Sequence, residues 1–133
     1  MRNIHKVLIL CLLALFLSAC KDEDEGRDRR LVVVEDMLEA ILDEDKRDMR
    51  DIYLEGAYHS PQELISLKKK WKIDNLELED FEIKEESFYV FRAYYDQNDQ
   101  KETKAIAFRV RETDEDELIV DYVDQVVEEK KNR

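Results

Sequence analysis

At Asp74-Asn75 the hydrophobic pattern of this 133-residue chain changes period, and that change most narrows the folds open to it. Upstream, apolar residues recur three and four apart, the spacing of one helix face; downstream they alternate or run in short blocks, the signature of strands. Helices grouped before strands, rather than alternating with them, point to an α+β domain.

The first helical stretch places Leu31, Val34, Leu38, Ile41 and Leu42 on one face, widened by Val33, Met37 and Ala40, with Glu35, Asp36 and Glu39 opposite. Asp43-Glu44-Asp45 breaks it, and Met49, Ile52 and Tyr53 mark a second, short helix stopping near Gly56. Ser60-Pro61-Gln62-Glu63 opens a third. Ser60 is placed to cap the Glu63 amide, and the Glu63 carboxylate to reach back to the Ser60 amide. Pro61 takes the first helical position, where an N–H would have no partner in the helix. Leu64, Ile65, Leu67 and Trp71 supply its buried face, while Lys68, Lys69, Lys70 and Lys72 sit where they oppose the negative end of the helix dipole.

Four strands are expected after the change of period. Leu76–Ile83 carries Leu76 and Leu78 on one face and Phe81 and Ile83 in the opposite phase, so a bulge is expected near Glu79-Asp80. Ser87–Tyr95 is apolar at nearly every position and reads as a central strand covered on both faces. After the polar loop Asp96–Gln100, Lys104–Arg111 alternates with Ile106, Phe108 and Val110 inward and Arg109 and Arg111 outward. Thr113–Glu117 turns the chain into a last strand, Leu118–Val123, and the charged tail after Val127 is expected to fray. The expected fold is therefore α+β, with N-terminal helices packed on a curved four-stranded antiparallel sheet. Shielding the second face of the central strand calls for a sheet closing over a cone-shaped interior, or for a partner.

The N-terminus belongs to a different kind of segment. Arg2, His5 and Lys6 precede Val7–Leu17, eleven uncharged residues. That run falls short of the roughly 20 apolar residues a membrane-spanning helix needs, and suits the core of an export signal. Leu17-Ser18-Ala19-Cys20 then resembles a bacterial lipobox. Bulky Leu17 makes a poor match to an ordinary signal-peptidase site cut after Ala19. The resemblance implies cleavage between Ala19 and Cys20 and acylation of Cys20, and two or more acyl chains give stable anchoring. The expected organisation is a signal peptide over 1–19, a lipidated Cys20 with a charged tether over 20–30, one domain over 31–127 and a charged tail over 128–133. Asp22-Glu23-Asp24-Glu25 after that cysteine resembles the surface-export signals of Bacteroidetes lipoproteins, and Lys21 lacks the Asp that retains proteobacterial lipoproteins in the inner membrane. The address implied is the extracytoplasmic side of a bacterial envelope: outer membrane or cell surface in a Gram-negative cell, cell membrane in a Gram-positive one.

Removing residues 1–19 takes away Arg2 and Lys6 but no acid, leaving 20 basic against 34 acidic side chains, a balance of −14. Such a charge argues against nucleic acid as a partner and repels an anionic membrane surface. A cationic protein partner is compatible with it. Cys11 leaves with the signal and Cys20 carries lipid, so neither a disulfide nor a free thiol is expected in the mature chain.

A short lipoprotein with N-terminal helices followed by a curved meander resembles the NTF2-like, cystatin-like group of small bacterial proteins, over roughly Leu31 to Val123. Folds of this kind host enzymes, ligand binders and interaction modules, so the site has to be argued separately. Enzymes of that group commonly place Asp, Tyr or His in the cone; here Tyr89, Tyr94, Tyr95, Tyr122 and Asp121 lie on the strands and read as core and rim. His59 is the one mature histidine, and its neighbour Ser60 already has a capping role, so no catalytic constellation is expected. Asp96-x-Asn98-x-Gln100 begins like a calcium loop but has Lys101 where Gly is required and Ala107 in place of the closing Glu, and neither Asp22-x-Asp24 nor Asp114-x-Asp116 does better. One histidine without a thiolate does not make a structural zinc site. No metal and no cofactor are expected. Two functions remain: an interaction module holding an envelope or extracellular protein, or a binder of a small apolar or aromatic ligand in the cone. Phe88, Phe91, Tyr94, Phe108 and Tyr122 are the candidate pocket or interaction residues.

Overall fold

The computed structural model describes residues 27–131, so the expected signal, lipobox and acylated Cys20 lie outside the described residues. Among the described residues, three helices precede a four-stranded antiparallel sheet: α1 (Arg29–Leu42), α2 (Lys46–Ile52), α3 (Pro61–Trp71), then β1 (Glu82–Ser87), β2 (Val90–Tyr95), β3 (Glu102–Glu112) and β4 (Leu118–Glu129). The strands pair in chain order as an open meander. This is the α+β arrangement that the change of period implies.

The helices begin and end for local reasons. Asp28 caps α1 by accepting from the Arg30 amide at 3.0 Å, which starts the helix two residues before Leu31 and takes residues 28–30 out of the expected tether. In the acidic break, Glu44 adopts a left-handed φ of 58° and Asp45 caps α2 through the Asp48 amide. Helix α2 ends at Ile52, before Gly56, because Tyr53 turns extended and bridges Val120 of β4 in parallel. Ser60 Oγ caps α3 through the Glu63 amide at 3.2 Å. The Glu63 carboxylate meets the His59 ring instead of returning to the Ser60 amide, so half of the expected capping box forms that way. At the far end Lys72 takes the left-handed position, φ 61°, that closes the helix.

The lysines of α3 do not act alike. Lys69 and Lys70 are exposed, whereas Lys68 is 5% exposed and donates to the Leu42 carbonyl at 2.8 Å, with Glu44 at 3.5 Å. It satisfies an open carbonyl at the C-terminus of α1 rather than its own helix end.

Three strand boundaries differ from the sequence pattern. Leu78–Asp80 is a 3₁₀ turn, tied by the Glu77 amide donating to Asp80 Oδ2 at 2.8 Å. The phase change across Leu76–Ile83 is therefore a turn that swings Phe81 and Ile83 toward the core, not a bulge within a strand. The apolar run Ser87–Tyr95 is not one strand, because the chain reverses at Phe88-Tyr89 and Ser87 pairs with Val90. Tyr89 stands at φ 72°, a position that usually takes glycine, so no Gly or Asn marks the turn in the sequence. Finally, the end of the chain does not fray at Val127. β3 begins at Glu102, which gives β4 a partner as far as Glu129, and the Lys130 amide donates to the Lys101 carbonyl at 2.8 Å.

One face of the sheet packs on the helices. Phe91, Ala93 and Tyr95 of β2 face Phe108, Ile106 and Lys104 of β3, and Val120 and Val123 of β4 complete that side. They meet Val34, Met37, Leu38 and Ile41 of α1, Met49 of α2, and Leu64 and Trp71 of α3 in one core. The Tyr95 hydroxyl donates to the Trp71 carbonyl at 2.8 Å and accepts from Gln125 Nε2, so this buried phenol is satisfied on both sides.

Candidate interaction surface

Among the described residues, no helix packs on the other face of the sheet. On β2 it presents Val90, Arg92 and Tyr94; on β3 Ala105, Ala107 and Arg109; on β4 Tyr122, Asp124, Val126 and Glu128. This arrangement answers the question raised by a central strand apolar on both faces. Ala105 and Ala107 are buried beneath the long side chains around them, which cover apolar surface with their stems and keep their polar ends in water. Neither a closed cone nor a second layer is needed to shield the strand.

Those side chains are held in place. Arg92 Nη1 lies 3.1 Å from Glu128, and Arg109 Nε donates to Asp121 Oδ1 at 2.7 Å. Asp121 is the extra residue of a β-bulge, since Arg109 pairs with Tyr122 while Val110 pairs with Val120. The bulge aims the Asp121 carboxylate at Arg109, whose guanidinium stands 5.7 Å from the Tyr122 ring centre. The Tyr94 hydroxyl donates to Glu86, and Lys84 lies over the Tyr94 ring at 5.6 Å. Burial, with the charge of Glu86 or Asp124 added, raises the Tyr94 and Tyr122 hydroxyls above the ordinary phenol value, so both stay neutral donors.

An aromatic cluster continues this face around the edge of β4. Tyr58, 69% exposed, stacks on Tyr122 with ring centres 6.2 Å apart and lies 4.4 Å from the His59 ring. His59 sits between two carboxylates: Nδ1 is 3.2 Å from Glu63 Oε2, and Nε2 is 3.3 Å from Asp124 Oδ1. Neither ring nitrogen faces the Ser60 hydroxyl, which is engaged with the Glu63 amide. Tyr53 donates to the His59 carbonyl at 2.6 Å; burial, with the charges of Glu63, Asp121 and Asp124, pushes its hydroxyl up to about 12. The phenol is therefore a fixed donor and not a base. A cavity of about 410 Å³ opens beside this segment, lined by Arg50, Tyr53, Ala57, His59 and Pro61 among others. Among the described residues, no cluster of three His, Cys, Asp or Glu side chains is arranged to hold a metal ion.

The five residues expected to share a pocket or surface fall in three places. Phe91 and Phe108, 2% and 0% exposed, are paired across β2 and β3 inside the core. Tyr94 and Tyr122 stand on the open face. Phe88 is 72% exposed at the β1–β2 turn. The sequence reading placed Arg109 outward but made neither it nor Arg92 nor Tyr58 a candidate; for the two arginines the signal available was an outward Arg at alternate strand positions opposite small residues. Comparison of the chain with protein-family models, with curated proteins and with solved structures finds no match.

Proposed function

We propose that this chain is a lipoprotein of a bacterial cell envelope, anchored through Cys20 on the extracytoplasmic side. Its folded domain binds an envelope or extracellular protein through the open face of the sheet. The observation that carries the reading is that face itself. Arg92, Tyr94, Arg109 and Tyr122 are ordered by ion pairs and ring contacts over a strip of alanines, while the opposite face is filled by helices. Tyr and Arg are among the residues enriched at binding hot spots, and holding them in place beforehand lowers the entropy cost of association. The acidic balance of the chain favours a cationic partner. The order of helices before a meander supports an NTF2-like, cystatin-like kinship within the α+β class. Among the described residues no helix is long and apolar enough to cross a membrane, which is compatible with a lipid as the anchor.

Native mass spectrometry of the protein extracted from membranes in mild detergent tests the proposal. A protein complex that dissociates as salt is raised, and that is lost in Tyr122→Ala, is the expected result. A small apolar molecule retained at both salt concentrations, with no protein bound, would replace it with the ligand-binding alternative.

A further inference from the structure

The turn between β1 and β2 is built against local preference. A two-residue turn with a left-handed second position is normally met by Gly or Asn, yet this one is Phe88-Tyr89 with Tyr89 at φ 72°. Bulky residues at such a position are outliers, and strain of this kind concentrates where a protein has a use for it. Phe88 is the most exposed large apolar side chain among the described residues, at 72%. Its ring packs edge-on against Tyr89 with centres 4.2 Å apart. Arg30 braces it from below, with its guanidinium 5.2 Å from the Phe88 ring and 5.5 Å from the Phe91 ring, and is itself held by Asp28 at 2.6 Å and Glu85 at 2.8 Å. The tip is an ordered apolar projection.

Its place in the fold indicates what it meets. Arg30 lies in the first turn of α1, the end at which the chain arrives from Cys20. Seven residues, Cys20 to Gly26, precede the first described residue, and they span at most about 25 Å. The tip is therefore tethered to the same end of the domain as the anchor. The opposite turn, Asp96–Gln100, is at the far end of the sheet and is wholly polar.

We propose that Phe88-Tyr89 is a membrane-contact tip that inserts into the headgroup layer of the bilayer carrying the Cys20 lipid. This rests on the anchoring proposed above. Aromatic side chains favour that depth, where an apolar ring and a polar hydroxyl are both satisfied. The β3–β4 loop beside the tip presents exposed Asp114, Glu115, Asp116 and Glu117, so the surface it fits is zwitterionic, with outward ammonium groups, rather than anionic. A second contact of this kind orients the domain, with the open face of the sheet standing away from the bilayer plane.

The test uses the full lipidated chain reconstituted in phosphatidylcholine vesicles containing bromine-labelled acyl chains. Two variants are compared, Phe88→Trp at the tip and Asn98→Trp at the opposite turn. The native Trp71, 3% exposed in the core, gives a common background. The expected result is about a twofold loss of the added emission in F88W and none in N98W, weakening when phosphatidylglycerol replaces part of the phosphatidylcholine. Equal quenching of both variants, or of neither, in vesicles that carry the protein on flotation would overturn the tip and leave the anchor standing. Protein that fails to float would overturn the anchor and the tip with it.

Discussion

Asp99 does more in the β2–β3 turn than a residue in a polar loop ordinarily does. Its Oδ1 accepts from the Lys101 amide at 2.8 Å and the Glu102 amide at 3.2 Å, and its Oδ2 lies 3.2 Å from Lys104 Nζ. The Lys101 amide first, then Lys104, stabilises the charged form and lowers the carboxyl to about 2. A carboxyl lowered on folding contributes stability in full above its unfolded value near 3.8 and loses that contribution as pH falls through its folded value. The window is thus about pH 4 down to about pH 2. A carboxyl-carbon NMR titration is expected to place Asp99 near the lower figure, with amide exchange across residues 97–102 rising through that window in the native chain. A midpoint at the ordinary aspartate value would remove the turn's dependence on this residue. Tyr89 is the counterexample at the same scale. Its conformation has no local cause in its sequence neighbours, and the continuous apolar run around it hides a chain reversal.

At the scale of elements, α1 and α3 are joined by one buried cation. The last carbonyls of any helix lack partners within it, and burying them unpaired costs about 1–3 kcal/mol each. Lys68 meets Leu42 in that role from 26 residues away. Lys68→Ala is expected to lower unfolding stability by about 1–3 kcal/mol in urea titrations, with Lys68→Met recovering the part due to stem packing and not the part due to the hydrogen bond. Equal stability of the native chain and both variants would mean that water serves the Leu42 carbonyl as well as the lysine does. The helices are legible along the chain because their stops and starts are local: Ser60 reads as a cap and Asp43-Glu44-Asp45 as a break, while the capping of α2 by Asp45 is seen only in the structure. The strands were legible as four but not in their limits. A 3₁₀ turn at Leu78–Asp80 and an aromatic turn at Phe88-Tyr89 carry none of the glycine or proline that ordinarily marks a turn.

For the whole molecule, the decisive quantity is what holds it to its surroundings. With Cys20 as the proposed anchor, Cys20→Ser is expected to move the protein from the membrane fraction to the soluble one in cell fractionation. A protein still in the membrane fraction would refute the acyl anchor. The domain that follows is a layer of helices on one sheet face and an open, polar-capped face on the other. Legible along the chain were the class, with helices before strands, the cap that begins α3, and the inward set Ile106, Phe108 and Val110. Periodicity and capping involve residues no more than about four apart, so they can be read along the chain. Tertiary structure alone decided that alanines on β3 leave the second face to arginine and tyrosine, that Lys68 serves another helix, and that His59 lies beside Asp124, 65 residues away. Those outcomes depend on pairing register and on which faces meet, and a one-residue shift of either would have placed different side chains together.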